Sequence, residues 1–378
     1  MDISFISLFF SNLLKGIGDI VRVLDLYSAF KSTAKSDKSY LTSKDALFKE
    51  LVRLPNKTHP IVKVYKEQPV LISQLNNKRK FGDYEPLEFS EITRRLNLMR
   101  TDKLGYTCGH KSYYFLGDLA EFEEALIKYT VSYLLNEKFH LVSVPDILPS
   151  SILDSCGMVV NTDRTQVDLC LSGTAEMSLA GLLMNSVHEK ETLPIKLAAV
   201  SRCYRAETSN VVEERGIYRV HQFTKVEMFA VTTAEQSDEM LEYLRETQEK
   251  LFLPLGLHMR VLDMPPHELG APAYRKYDIE AWMPGRNSYG EISSCSNCTD
   301  YQSRRLNIKY SDSGNKYVHT LNGTACAVPR MLIALLETYQ DPKGKIYIPE
   351  VLQPFMSGKK FISKNTAVPD IKLMKIKK

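Results

Sequence analysis

Val200-Ser-Arg-Cys-Tyr-Arg205-Ala-Glu207, a polar loop from Thr208 to Gly216, and Gly216-Ile-Tyr-Arg219-Val-His221-Gln-Phe223-Thr-Lys225-Val-Glu227-Met-Phe-Ala230 form the stretch that decides the fold. Both flanks are rich in β-branched and aromatic residues, which predicts two antiparallel strands joined by a long loop. With a period of two, Arg219, His221, Phe223, Lys225 and Glu227 share one face. Tyr218, Val220, Gln222, Val226 and Met228 fall on the other, as core material. Arg205 and Glu207 share a face of the incoming strand. Arg219 to Glu227 would span about 27 Å, in the order cation, aromatic, carboxylate. Those groups suit phosphate, a flat base and an ammonium, so the row reads as a ligand-binding face.

Arg205-Ala-Glu207, Gly216 through Phe223, and Lys225-Val-Glu227 together resemble motif 2 of the class II aminoacyl-tRNA synthetases, in the form found in seryl-tRNA synthetases. Other segments extend the resemblance over roughly residues 55–355. Pro55-Asn-Lys-Thr-His59-Pro60 resembles the segment that follows the family's N-terminal arm. A helix over Leu119–Phe139, followed by a strand Leu141-Val-Ser-Val-Pro145-Asp-Ile-Leu closed by its proline, resembles motif 1, the dimer interface. Asn322-Gly-Thr324-Ala-Cys-Ala-Val-Pro-Arg330 before a helix from Pro329 to Tyr339 resembles motif 3. Cys108-Gly-His110-Lys-Ser-Tyr-Tyr, Ala271-Pro-Ala-Tyr-Arg-Lys and Ala325-Cys-Ala-Val-Pro-Arg330 are similar to the animal mitochondrial forms.

The resemblance implies an α+β fold, an antiparallel β-sheet flanked by helices with a small helical N-terminal region. No G-x-G-x-x-G follows a strand, in agreement with a fold other than Rossmann. It also implies ATP-dependent activation of serine and transfer to tRNA(Ser) by a homodimer using Mg²⁺. Arg205 would hold the α-phosphate and the serine carboxylate, and Glu207 the adenine amino edge. Arg219 and Arg330 would clamp the outer phosphates, Phe223 would stack on adenine, and Glu291 and Ser294 would carry Mg²⁺. Thr174, Glu176, Glu227, Asn322 and Thr324 would shape the serine pocket.

Each of these readings has a plainer one beside it. Leu171-Ser-Gly-Thr174-Ala-Glu176 before an apolar helix reads as a helix cap as readily as a serine contact. Glu291 is a hard oxygen donor suited to Mg²⁺. Yet strand alternation sends Glu291 and Ser294 to opposite faces, so a bulge or strand end is required. Arg330 at a helix start adds a cation to a dipole end already suited to phosphate.

At 378 residues the chain exceeds one ordinary core. The expected division is a helical N-terminal region over 1–100, a catalytic domain over 101–355 and a basic tail over 356–378. With 44% hydrophobic and 25% charged residues, wholesale disorder is excluded. The net charge of +4 conceals +6 in residues 1–100 and +6 in 356–378, which leaves the middle acidic. Basic ends suit a phosphate-backbone partner and equally suit simple solubility.

Fewer than 60 residues precede Pro55, interrupted by a Ser/Lys-rich linker over 31–42. The family's long helical hairpin is therefore expected to be reduced here, with short helices over 17–30 and 43–54. That departure keeps two alternatives open: a catalytically silent paralogue binding RNA or a partner, and a ligase loading serine onto a carrier protein. Seven cysteines without a framework spacing point to a reducing compartment, and Cys295-Ser-Asn-Cys298 alone is a weak zinc signal. The apolar run Met1–Leu14 is too short to cross a bilayer, so no membrane partner is expected. Its composition is a poor transit peptide. The resemblance implies the mitochondrial matrix, with the cytoplasm as alternative.

Overall fold

The computed structural model describes residues 12–101, 108–109, 111–158, 168–207 and 216–368. Its centre is an eight-stranded sheet of β1 (Val70–Leu75), β2 (His140–Leu141), β3 (Ile195–Tyr204), β4 (Gln222–Thr232), β5 (Met259–Asp263), β6 (Arg275–Met283), β7 (Ser288–Asn297) and β8 (His319–Ala327). The spatial order is β1-β5-β6-β7-β8-β4-β3-β2, antiparallel except for the β2–β3 pair. The α+β expectation therefore holds, and β3 and β4 pair in register from Ile195 opposite Val231 to Tyr204 opposite Gln222.

Alternation along these strands divides the sheet into an apolar and a polar face. Val226, Met228, Ile279, Ala281, Cys295 and Leu321 meet a layer of helices. That layer contains α4 (Asp118–Asn136), α6 (Ser237–Phe252) and α7 (Val328–Tyr339), numbered after α1 (Ile20–Ser32), α2 (Tyr40–Leu51), α3 (Phe89–Arg95) and before-mentioned strands, with α5 (Ala175–Leu182) lying elsewhere. Phe122, Leu126, Leu244, Leu251, Leu332, Leu335 and Leu336 recur at helical spacing and are buried against the sheet. Helix α5 packs with Leu148, Leu153 and Tyr310 over Phe229 and Val231 at one end of the opposite face. The rest of that face carries polar side chains and forms the floor of a cavity.

Several boundaries differ from expectation for physical reasons. Strand β4 begins at Gln222, so Arg219 and His221 lie on a turn and the continuous 27 Å row does not exist. Tyr218 packs against the main core as expected and also lines the cavity. The expected strand over 141–148 is two short pieces: β2, and Ile147–Pro149 paired with Leu169–Leu171 in a separate sheet. Helix α2 starts at Tyr40 after Ser39, so Ser43 sits inside the helix.

Residues near both ends of the chain join the central body. Strand β1 is an edge of the main sheet, and Phe89, Ile92 and Leu98 enter the main core. A boundary at residue 100 thus cuts through packed elements. Phe361–Ile362 pairs with Ile346–Tyr347. Lys359 donates to Asp118 at 2.7 Å and Glu121 at 2.6 Å, so its charge is engaged within the fold. Residues 369–378 and most of the loop 208–216 lie outside the described residues, as does His110. No helix among the described residues is long and apolar enough to cross a membrane.

Candidate active site

A cavity of about 180 Å³ opens on the polar face where β4, β8 and β7 lie side by side. Thr174, Glu176, Arg205, Glu207, Arg219, Phe223, Glu227, Glu291, Ser294, Asn322, Thr324 and Arg330 all line it. Every site residue expected from the sequence is therefore brought to one place, from five separate segments.

One end of the cavity is acidic and built for a small polar ligand. Thr174 is the N-cap of α5, its hydroxyl accepting from the Glu176 N–H at 3.4 Å, so the cap and site readings are both met. The cap aims the first turn of α5 at β8, where Asn322 Nδ2 donates to Glu176 Oε1 at 2.9 Å. Gln302 also donates to that oxygen and accepts from Thr320 Oγ1 at 2.7 Å. Burial first, and the charge of Glu227 second, push the Glu176 carboxyl up to about 7. Glu227, 1% exposed, is ion-paired with Lys225 and accepts from Thr324 Oγ1 at 3.4 Å.

The other end is cationic and flat. Arg205 leaves the end of β3 with its guanidinium 5.3 Å from the Phe223 ring. Its buried Nε has no hydrogen-bond partner among the described residues, a donor suited to an anion that would enter here. Two residues on, Glu207 sits at φ +41°, a left-handed conformation that costs a non-glycine residue about 1 kcal/mol or more. Its carboxylate meets Arg219 at 3.4 Å.

Arg330, in the first turn of α7 after Pro329, reaches Glu291 at 3.1 Å and stacks 4.5 Å from the Tyr218 ring. Burial opposes ionisation of Glu291. The cations Arg330, Lys276 and Arg205 outweigh it and hold that carboxyl below its ordinary value.

The alternation problem at Glu291 and Ser294 is resolved by a bulge. Ile279 pairs with Ser293 while Glu280 pairs with Glu291, so Ile292 is the extra residue on β7. The parity change turns Glu291 and Ser294 to the same cavity. A carboxylate and a hydroxyl, both hard oxygen donors, then stand where phosphate oxygens would complete a Mg²⁺ shell. The residues present fit that ion.

Sequence reasoning missed Tyr218 and Gln302 as parts of the site. Tyr218 is a cavity wall only because the chain turns before β4. Gln302 comes from the separate short helix Tyr301–Leu306, and no spacing signal ties it to Glu176. Lys225, on the row expected to face a ligand, lines the cavity and is buried in an ion pair with Glu227.

An antiparallel sheet with motif arginines at a strand end and a helix start defines the catalytic core of a class II synthetase. Residues 159–339 match the model described as tRNA synthetase class II core domain (G, H, P, S and T). The chain is 41% identical over 323 residues to a serine–tRNA ligase of Rubrobacter xylanophilus, covering 82% of this chain and 76% of that protein. It is 44% identical over 338 residues to the mitochondrial serine–tRNA ligase of Mus musculus, covering 86% of this chain and 65% of that protein. This chain thus spans about two thirds of the mouse protein's length. The structure of seryl-tRNA synthetase from Pyrococcus horikoshii complexed with ATP superposes with TM-score 0.80 at 29% identity, covering 96% of this chain and 90% of that one. The chain belongs to the seryl-tRNA synthetase family.

Proposed function

We propose that this protein joins serine to tRNA(Ser) in two ATP-driven steps. The convergence of twelve side chains on one cavity, acidic at one end and cationic at the other, carries this reading. In the first step a serine carboxylate oxygen attacks the α-phosphorus of ATP. The bond from that phosphorus to the bridging oxygen breaks, and pyrophosphate leaves with seryl-adenylate behind. In the second, a terminal ribose hydroxyl of the tRNA attacks the acyl carbon and AMP leaves. Neither step needs a covalent bond to the protein, so catalysis is orientation and neutralisation of developing charge.

Glu176 and Glu227 would receive the serine ammonium and hydroxyl, with Thr174, Asn322 and Thr324 shaping the pocket. An alanine substrate would leave that polar pocket partly unpaired. Arg205, whose Nε lacks a partner, would bind the α-phosphate and the carboxylate together. Phe223 would stack on adenine, with Glu207 at its amino edge, and Arg219 and Arg330 would take the outer phosphates. Glu291 and Ser294 would hold Mg²⁺, which would supply charge neutralisation at the phosphates.

The protein partner would be a second copy of the chain. Leu141, Ile147, Leu169, Leu171 and Leu182 are each about half exposed, on and beside the segments that resemble motif 1. The mitochondrion is the compartment we propose, on the likeness to the mouse mitochondrial protein, with the cytoplasm as the alternative.

Serine-dependent ATP–pyrophosphate exchange tests the reading. Serine should stimulate exchange well above threonine or alanine in the presence of Mg²⁺. Folded protein without serine-dependent exchange would overturn it.

A further inference from the structure

The polar face of the sheet does not end at the cavity. Glu280 pairs with Glu291 across β6 and β7, and Trp282 pairs with Tyr289 two residues on. Directly paired residues and their i±2 neighbours share a face. Trp282 and Tyr289 therefore stand on the cavity side, with Tyr289 about 7 Å along β7 from Glu291. On β5, Arg260 pairs with Glu280 and carries on the same row.

These side chains form a ladder of cations and rings. Lys78 Nζ lies 3.2 Å from the centroid of Trp282. Trp282 meets Tyr289 edge to face at 5.1 Å. Arg260 lies 4.2 Å from the other reach of Tyr289, and His258 Nε2 is 2.7 Å from its hydroxyl. Glu280, the carboxylate of the row nearest these rings on β6, is held by Arg260 at 2.5 Å. Lys78 belongs to the loop Asn76-Asn-Lys78-Arg79-Lys80, all of it exposed, whose Asn76 carbonyl is 2.9 Å from His258 Nδ1. Arg79 is tied to the Thr338 carbonyl at 2.7 Å, which leaves Lys78 and Lys80 as the outward charges of the loop.

We infer that this strip is a binding surface for the unpaired 3′ strand of tRNA where it enters the cavity. Rings with a cation over one face, as Lys78 lies over Trp282 and Arg260 over Tyr289, take bases by stacking once the exposed lysine swings out to a phosphate, with little regard to sequence. The position, one β-pair beyond the cavity wall, is where a strand ending in the cavity would lie. The inference rests on the tRNA reading above.

Trp282 is the only tryptophan of the chain, so its emission reports this strip alone. A tRNA(Ser) transcript should change Trp282 emission saturably, and the same transcript lacking its last four nucleotides should not. Lys78→Ala with Lys80→Ala removes two phosphate contacts, which shallows the slope of log K against log salt by about 1.4. That corresponds to about 25-fold weaker binding at 0.1 M salt and none at 1 M. Serine-dependent ATP–pyrophosphate exchange should stay at the wild-type rate. Unchanged affinity and slope in the double variant would overturn the inference, and a lowered Tm with wild-type tRNA binding would assign Lys78 to fastening the loop. An equal emission change with the shortened transcript would move the contact to the body of the tRNA and refute the 3′-strand assignment. Loss of exchange in the wild type, with tRNA binding intact, would instead refute the proposed reaction and leave the strip standing.

Discussion

Replacing Glu176 by Gln should make the protein more stable at pH 8 while it cripples serine binding. The Glu176 carboxyl is pushed up to about 7, by burial first and by the charge of Glu227 second. An ordinary glutamate in the unfolded chain titrates near 4.3. Between those values the folded state holds the proton more tightly, so stability falls as pH rises through this window and then levels off above the folded pKa. The full cost of ionising this carboxylate in the pocket is on the order of 3.5 kcal/mol, at 1.36 kcal/mol per pKa unit. Glutamine keeps an oxygen to accept from Asn322 and Gln302 and removes the charge. Urea unfolding of wild type and variant should therefore coincide near pH 4.5 and diverge by about 2–3 kcal/mol at pH 8, in favour of the variant. Under the proposed function the same change removes a charge-assisted bond to the serine ammonium, so the serine KM in exchange should rise by about 10- to 150-fold. Equal stability gains at pH 4.5 and pH 8, or no gain at either, would refute the electrostatic account of the pocket. Other carboxyls raised by burial, Asp278 and Glu337 at about 7, give both proteins the same background slope, which the difference cancels.

Arg205→Ala should lower kcat of exchange by at least about 100-fold, the scale for one lost stabiliser of developing charge, while circular dichroism stays native; near-normal turnover would displace it from the α-phosphate. Sedimentation should show a homodimer, and Leu141→Glu with Ile147→Glu should yield monomers; a wild-type monomer with full activity would contradict the apolar face as an interface. Ending the chain after residue 368 should leave Tm and exchange unchanged. Ending it after residue 356 should cost at least about 2 kcal/mol, because it removes buried Ile362, the Lys359 bridge to Asp118 and Glu121, and the Asn97 bond to the Asn365 carbonyl at 3.0 Å. Equal urea midpoints for the two truncations would refute the docked reading of residues 357–368.

The elements that were legible in the sequence are those whose signal is local. Helices α4 and α7 announce themselves by apolar residues at helical spacing, and β3 and β4 by β-branched and aromatic runs around a polar loop. The motif residues were legible because charged side chains in an otherwise apolar strand need a reason to be there. What the sequence hid is set by tertiary pairing. Strand β1 has exposed Val70, Leu71 and Ile72 and no alternation to mark it as an edge of the central sheet. Its membership comes from pairing with β5, nearly 190 residues away along the chain. The tail looked like loose positive charge because a count of lysines cannot see that Asp118 and Glu121 wait at the start of α4.

The bulge at Ile292 shows why such hidden features matter for function. Strict pairing of β6 with β7 would keep Ser294 on the cavity side, since Ser296 beside Asn322 fixes that face, and would turn Glu291 toward the helices. There its carboxylate would lose Arg330 and Lys276, the cations that hold it ionised against burial, and an unpaired charge in that layer would cost several kcal/mol. One extra residue reverses the parity for everything upstream on β7. It brings Glu291 and Tyr289 to the cavity side, where Trp282 already stands through the regular alternation of β6. The proposed metal ligand and one ring of the proposed RNA strip thus depend on the same backbone irregularity. Deleting Ile292 takes out the extra residue and leaves Glu291 opposite Glu280 in strict alternation, still on the cavity side. A folded deletion variant should therefore keep serine-dependent exchange, and its loss in folded protein would refute the parity account.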